Sequence, residues 1–143
     1  MSMLISSFMF IALLAVSTAH FLWSIGRTWP IRNEKLLAQT VVGTAGIEHM
    51  PPRLASLGVA VSLLAAAFAS LALADHDGGG ALLTAAGFAL AILFLLRGTV
   101  GYTSWWARLT PEPNFRLNDR RVYSPLCLFL GLGFLTLAIM RLM

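Results

Sequence analysis

Charged residues are scarce in this sequence. Of its 143 residues, 11% are Asp, Glu, Lys or Arg, whereas 58% are hydrophobic, and the mean hydropathy is +0.80. A soluble domain carries about 25% charged residues, because polar side chains must cover its water-facing surface. So small a share excludes a soluble globular protein and indicates an integral membrane protein.

Cysteine is also nearly absent, since Cys127 is the only one. A single cysteine excludes an internal disulfide and a CxxC redox pair within one chain. In an apolar helix it is expected to behave as a small hydrophobic residue. The sequence contains no HExxH, P-loop or GxGxxG motif and no recognisable Ser-His-Asp set, so the chemistry that belongs to each is not predicted.

Four apolar runs are long enough to cross a bilayer, which takes about 20 residues of helix. They are continuous rather than alternating, and this pattern predicts helices instead of strands. The first run lacks a preceding basic segment and is too long for the apolar core of a signal peptide, so we expect it to be retained. The prediction is a single all-α domain over 1–143, an integral membrane four-helix bundle. Its spans cover about 3–25, 54–74, 81–102 and 124–140.

Lysine and arginine are concentrated in two of the three connections. Because basic loops stay in the cytoplasm, this asymmetry places 26–53 and 103–123 in the cytoplasm of an inner-membrane protein, with both termini extracytoplasmic. The net charge of +4 is then explained by contact with anionic lipid head groups, and nucleic acid is not predicted as a partner. The residues concerned are Arg27, Arg32, Lys35, Arg53, Arg108, Arg116, Arg120 and Arg121.

One arginine and one histidine lie inside the apolar runs. Counted from the outer ends of their spans, Arg97 is about sixteen residues deep and His20 about seventeen, which puts them at one depth near the cytoplasmic interface. Ionisable groups inside membranes usually face the bundle interior and mark function. Two interpretations of Arg97 follow: an anchor that extends to lipid phosphates, or part of a pocket.

We predict a polar pocket at the cytoplasmic end of the bundle. Trp23 lies on the same helix face as His20, and Tyr123 and Cys127 lie at the cytoplasmic end of the fourth span. Glu48 is a candidate counter-ion for Arg97 from the first connection. The pocket candidates are therefore His20, Trp23, Glu48, Arg97, Tyr123 and Cys127.

No cofactor is clearly encoded. A b-type haem needs two axial ligands across a bundle, and only His20 is well placed within a span, so haem is not predicted. The sequence DHD at 75–77 is expected to be a solvated turn, and no metal site is predicted there.

Three stretches resemble a small bacterial membrane family catalogued as domain of unknown function 3995. HFLWSIGRTWP at 20–30 resembles its HxxW…G…W signature, and FLLRGTVGY at 94–102 resembles its third-span arginine followed by glycine. NFRLNDRRVYSPLCLFLGLG at 114–133 is similar to its F-x-x-x-D-x-x-x-YSPLCL run. The resemblance covers essentially the whole chain and implies a four-helix bundle in the inner membrane, but no activity.

The resemblance adds Asp119 to the candidate residues. Arginines surround it in the sequence, so one interpretation is a surface ion pair. The alternative is that Asp119 fixes the third connection over the pocket, through Arg97 or through the start of the fourth span.

Three functional classes are compatible with these residues. The favoured one is a binding or accessory protein whose pocket holds a lipid-like or quinone-like ligand or docks a membrane partner. A small transporter or channel would need polar residues along the whole depth of the spans, whose outer halves are nearly all apolar. A membrane-embedded enzyme acting on a lipid-like substrate would use His20 as acid–base group and Arg97 as oxyanion stabiliser. Oligomerisation stays open, because small residues in the second span allow helices to approach closely within one bundle or between copies.

Overall fold

The computed structural model describes residues 1–75 and 78–143. His76 and Asp77, two of the three residues considered above for a metal site, lie outside the described residues. Over the described ranges the chain is helical and has no strand, which confirms the all-α prediction. The helices are α1 (Ser2–Ser24), α2 (Glu34–Val41), α3 (Arg53–Ala74), α4 (Gly80–Val100), α5 (Ser104–Leu109), α6 (Pro113–Asn118), a π-helical turn (Asp119–Tyr123) and α7 (Ser124–Met140).

Within the described residues, four helical segments are long and apolar enough to cross a membrane: α1, α3, α4 and the continuous stretch from α6 to α7. Their outward faces carry large apolar side chains that are more than half exposed. Such a surface is unfavourable in water but suits the hydrocarbon of a bilayer. The chain is therefore a multi-pass membrane protein. Examples of the outward residues are Leu4, Phe8, Leu54, Leu82, Ile92 and Leu96.

The bundle is built from two tightly packed helix pairs. α1 packs mainly on α3, and α4 packs mainly on α7, while smaller α1–α7 and α3–α4 contacts close the arrangement. α1 and α4 consequently occupy opposite corners. Residues on these two helices can share a depth in the membrane without meeting, and this matters for the site.

Close packing at the centre depends on aromatic and glycine residues. Phe94 and Phe134 stack with their ring centroids 5.7 Å apart and their planes 11° apart. A Cβ at Gly133 would overlap the sulfur of Met9, so glycine lets α1 approach α7 closely. The bundle interior is thus a packed apolar core.

Residues 103–123, which we expected to be a connection, fold as α5, α6 and the π-turn. The Thr103 side chain accepts from the backbone N–H of Trp106 and caps α5, and Pro113 begins α6, where a missing N–H costs nothing. Pro125 cannot donate to the carbonyl of Arg121, four residues earlier, and its ring would clash there in an α-helix. The π-turn includes Arg121, and its hydrogen bonds reach one residue further than those of an α-helix, which accommodates Pro125.

The two long connections pack against each other at one end of the bundle. The backbone N–H of Glu112 donates to the carbonyl of Gly43 at 3.3 Å, and the Tyr123 hydroxyl donates to the carbonyl of Thr40 at 3.1 Å. Phe115 is buried against Gly43. Glycine is required at position 43 because φ is +78° and because a Cβ there would overlap the Phe115 ring. The connections 26–53 and 103–123 therefore form one folded layer, the layer of connections, at this end of the bundle.

Candidate functional site

Two aromatic rings are in contact near the end of α1. The imidazole of His20 and the indole of Trp23 have centroids 4.6 Å apart, as neighbours on one helix face should. The Nδ1 of His20 donates to the carbonyl of Val16 at 2.9 Å. Since a carbonyl oxygen can only accept, Nδ1 carries the proton and the neutral ring keeps its lone pair on Nε2.

A cavity of about 150 Å³ lies beside His20, between α1, α2 and α3. Two of the residues that line it, His20 and Ser56, carry polar side chains. The remaining wall is apolar and includes Trp23, Val41, Val42, Met50, Pro51 and Val59. An apolar cavity with a few polar groups is the usual form of a small-molecule site.

Ser56 lies in the first turn of α3 and is 5% exposed. In the part of the chain that the structure describes, its hydroxyl makes no hydrogen bond, and neither does the Nε2 of His20. One turn deeper, the Ser17 hydroxyl donates to the carbonyl of Ala60 at 2.7 Å. This bond ties α1 to α3, so the two walls that carry His20 and Ser56 are held together.

Two donors next to the cavity are already used by the protein. The indole N–H of Trp23 donates to the carbonyl of Trp29 at 2.6 Å. The backbone N–H of Met50 donates to a carboxylate oxygen of Glu34 at 3.1 Å. The cavity therefore has an unused acceptor in His20 and an adaptable hydroxyl in Ser56, while these neighbouring donors are occupied.

A second polar cluster surrounds Asp119, which is completely buried. Its Oδ1 accepts from the Nη2 of Arg97 at 2.8 Å and from the Ser124 hydroxyl at 3.2 Å. Its Oδ2 accepts from the indole N–H of Trp106 at 3.0 Å, and Nη1 of Arg116 lies 3.7 Å away. The carboxylate thus joins α4, α5, α6 and α7 at one point.

Arg97 is stabilised by an aromatic ring as well as by Asp119. Its guanidinium carbon lies 5.0 Å from the centroid of the Trp106 ring, within cation–π range. Its side chain is 32% exposed. Among the described residues, Nη1 of Arg97 and Nη2 of Arg116 are buried without a hydrogen-bond partner. Two guanidiniums therefore share one carboxylate, and both depend on Asp119 for their counter-charge.

Gly101 makes the Asp119 cluster sterically feasible. A Cβ at this position would overlap the Ser124 hydroxyl and lie 2.9 Å from Oδ2 of Asp119. The carbonyl of Gly101 also accepts from Arg116 at 3.3 Å. The end of α4 therefore lies too close to the side chains of Asp119 and Ser124 for any residue other than glycine at position 101.

Glu48 is not the counter-ion of Arg97, and that expectation was wrong. Glu48 is exposed and accepts from Lys35 at 2.8 Å, whereas Arg97 pairs with Asp119. This hydrogen bond raises the pKa of Lys35 and lowers the pKa of Glu48. The physical reason is connectivity: Glu48 belongs to the connection that packs on α2, and Asp119 begins the π-turn that packs on α4.

The other sequence-predicted residues divide between the two helix pairs. His20 and Trp23 line the α1–α3 cavity, while Arg97 and Asp119 form the α4–α7 cluster. Within the described ranges, no hydrogen bond, ion pair or ring contact joins His20 to Arg97, because α1 and α4 are diagonal. Cys127 packs against the hydrophobic core.

Tyr123 ends the π-turn that begins at Asp119, but its hydroxyl bonds to the first connection. Besides its bond to Thr40, it lines a shallow groove with Asn114 and Asn118 between the two connections. It therefore fastens the layer of connections and does not line the His20 cavity.

Among the residues of these sites that are not sequence candidates are Ser56, Gly101 and Trp106. Gly101 follows Arg97 by one helical turn, and that spacing is a usable signal. In the sequence, Ser56 is one of several small residues in the second span and has no distinguishing pattern. The contact of Trp106 with Asp119 depends on how 103–123 folds, and no local pattern encodes it.

No group of three or more His, Cys, Asp or Glu side chains within the described residues could hold a metal ion. His20 and Ser56 instead offer hydrogen bonds to a neutral ligand, and Arg97 and Asp119 form a buried ion pair.

Four membrane-spanning helices with a folded layer at one end define an integral membrane protein. The chain belongs to the family described as "Protein of unknown function (DUF3995)", whose model matches residues 13–134. No curated protein and no solved structure matches the chain.

Proposed function

We propose that this protein is a binding protein of the cell inner membrane, with a single domain, that holds the ring-shaped head of an amphiphile in the cavity beside His20. The observation that carries the proposal is the pairing of two unused polar groups, Nε2 of His20 and the hydroxyl of Ser56, in an otherwise apolar cavity. A ligand that forms hydrogen bonds with both groups gains affinity from those bonds.

The size of the cavity indicates what part of a ligand enters it. A volume of about 150 Å³ is that of a cavity that accepts a benzene ring. A lipid-like or quinone-like molecule would insert its ring there and leave its tail in the bilayer. Ala55 and Val59 line the cavity and are also exposed on the outer face of α3, which gives a tail a route to lipid.

The geometry supports binding over the alternative of a membrane-embedded enzyme. That alternative needs His20 and Arg97 to act on one substrate, but these residues lie on diagonal helices and Arg97 is occupied by Asp119. The Arg97–Asp119 pair instead holds 103–123 in place. We also propose that the layer of connections faces the cytoplasm, since it holds most of the basic residues.

The test is to identify what the purified protein carries. The full chain is extracted in mild detergent and analysed by native mass spectrometry, with extraction and identification of bound molecules. Ser56→Leu fills the cavity and removes its hydroxyl. Ser62→Leu is the matched control, because Ser62 is exposed on the same helix and its hydroxyl donates to the carbonyl of Gly58.

We expect the wild type and Ser62→Leu to retain an amphiphile with a ring, and Ser56→Leu to lose it. His20→Ala provides a second variant if Ser56→Leu does not fold. If the wild type and both cavity variants carry the same bulk phospholipids and nothing else, the proposal is wrong.

A further inference from the structure

We infer that the cavity selects a ring that bears a hydroxyl group, a phenol or a hydroquinone, over the corresponding ether or quinone. The inference rests on the proposed function, because it names the chemical class of ligand for that same cavity. The reason is that the donor groups at the cavity wall already form hydrogen bonds within the protein.

The first step concerns His20. Its Nδ1–H is committed to the carbonyl of Val16, so the neutral ring can offer the cavity a lone pair but no proton. A ring hydroxyl can donate to that lone pair. A quinone carbonyl or an ether oxygen would instead place its own lone pairs against Nε2 and leave the nitrogen unsatisfied.

The second step concerns the donors that could serve an acceptor-only ligand. The indole N–H of Trp23 and the backbone N–H of Met50 lie at the cavity wall, and both donate within the protein, to Trp29 and to Glu34. Ser56 can donate or accept by rotating its hydroxyl, so it does not discriminate between the two ligand classes. His20 is therefore the residue that distinguishes a ring hydroxyl from an ether or quinone oxygen.

The experiment compares two ligands that share a ring and a tail, one with a hydroxyl hydrogen and the other with a methyl group in its place. The affinities of 4-hexylphenol and of its methyl ether, 4-hexylanisole, are measured for the full chain in detergent at pH 8.5, well above the reference pKa of imidazole. Both share the ring and the tail, and neither reacts with Cys127. Because leaving a buried acceptor unsatisfied is costly, we expect the phenol to bind about tenfold more tightly.

Variants of His20 separate this cause from general differences in partitioning. His20→Phe keeps an aromatic ring without an acceptor, so the preference for the phenol should disappear. His20→Gln has an amide that can donate or accept, so both ligands should bind within about twofold of each other. Thr18→Val is the control on the same helix: the exposed Thr18 hydroxyl bonds to Leu14, and its loss should leave the preference unchanged.

The outcomes distinguish this inference from the proposed function. If both ligands are displaced by Ser56→Leu but bind the wild type equally, or the ether binds more tightly, the cavity is real and the selection is wrong. If neither ligand binds, or if Ser56→Leu has no effect on either, the proposed function fails and this inference fails with it. The wild-type comparison needs no variant to fold.

Discussion

The guanidinium of Arg97 and the carboxylate of Asp119 lie 2.8 Å apart, although 22 residues separate them in the chain. The contact explains how an arginine is tolerated in the last turn of an apolar membrane helix. Its charge is balanced inside the protein by a buried carboxylate, with the face of Trp106 alongside, so Arg97 need not reach lipid phosphates. The pair also fixes the fold of 103–123.

Asp119→Asn should be strongly destabilising. It removes the only carboxylate of the cluster and leaves Arg97 and Arg116 without a counter-charge in a largely buried place. Breaking a buried ion pair from one side costs about 3–5 kcal/mol. The free energy of unfolding in detergent micelles measures this effect. Glu48→Gln, which breaks an exposed pair, should cause little change.

The double variant Arg97→Leu/Asp119→Leu tests whether the loss is due to an unpaired charge. It should be less destabilising than the sum of the two single leucine variants, because it leaves neither member of the pair unbalanced. Additive effects would show that the two side chains contribute independently.

Gly101→Ala should disrupt the same cluster by steric overlap. Its methyl group would collide with the hydroxyl of Ser124, so we expect a loss of about 1–3 kcal/mol in the free energy of unfolding. Gly58→Ala is the matched control, since nothing lies within 4 Å of its added Cβ and alanine favours helix. Adding Ser124→Ala to Gly101→Ala should recover part of the loss; no recovery would contradict the steric cause.

Ser17→Ala should separate α1 from α3 slightly. The Ser17 hydroxyl donates to Ala60 across the helix pair, and hydrogen bonds between membrane helices contribute about 0.6 kcal/mol on average. Thr18→Ala removes a hydroxyl that bonds only within α1 and should be neutral. Thermal unfolding of the two variants side by side gives the comparison, and equal effects would argue against a role for the inter-helix bond.

The Lys35–Glu48 pair should protect the first connection over a defined pH range. The hydrogen bond to Lys35 lowers the pKa of Glu48, so this stabilisation is present above the unfolded value of about 4.3 and is lost as pH falls through the lower folded pKa. The pKa of Lys35 is raised, so its contribution is present below about 10.4 and is lost as pH rises through the higher folded pKa.

Hydrogen exchange of the segment 34–50, corrected for the intrinsic rate at each pH, should therefore show a plateau of protection between about pH 5 and 10. Glu48→Gln should flatten the acid side of this profile. An unchanged acid limb in Glu48→Gln would mean that another group is responsible.

The orientation of the protein can be tested by cysteine labelling. In a Cys127→Ala background, Thr44→Cys reports on the layer of connections and Met143→Cys reports on the C-terminus. A membrane-impermeant maleimide added to intact cells should label Met143→Cys, and Thr44→Cys should react only after the membrane is opened, because basic loops stay inside. The reverse pattern would invert the proposed topology.

The candidate sites were only partly predictable from the sequence. His20 and Trp23 share a helix face by their spacing alone, and the structure places their rings in contact. Arg97 and His20 were expected in one pocket because they share a depth, but depth says nothing about which helices are neighbours. Glu48 was expected to pair with Arg97 on charge alone, whereas in the structure it pairs with Lys35.

What the sequence by itself determined is the class of the protein. Four continuous apolar runs must become membrane helices, since no other structure satisfies the backbone in hydrocarbon, and the basic residues must gather in the connections. Only the tertiary structure decided that α1 pairs with α3 and α4 with α7, that 103–123 folds around a buried Asp119, and that a cavity opens at His20. These depend on which side chains interlock across helices, and such contacts leave no periodic trace along the chain.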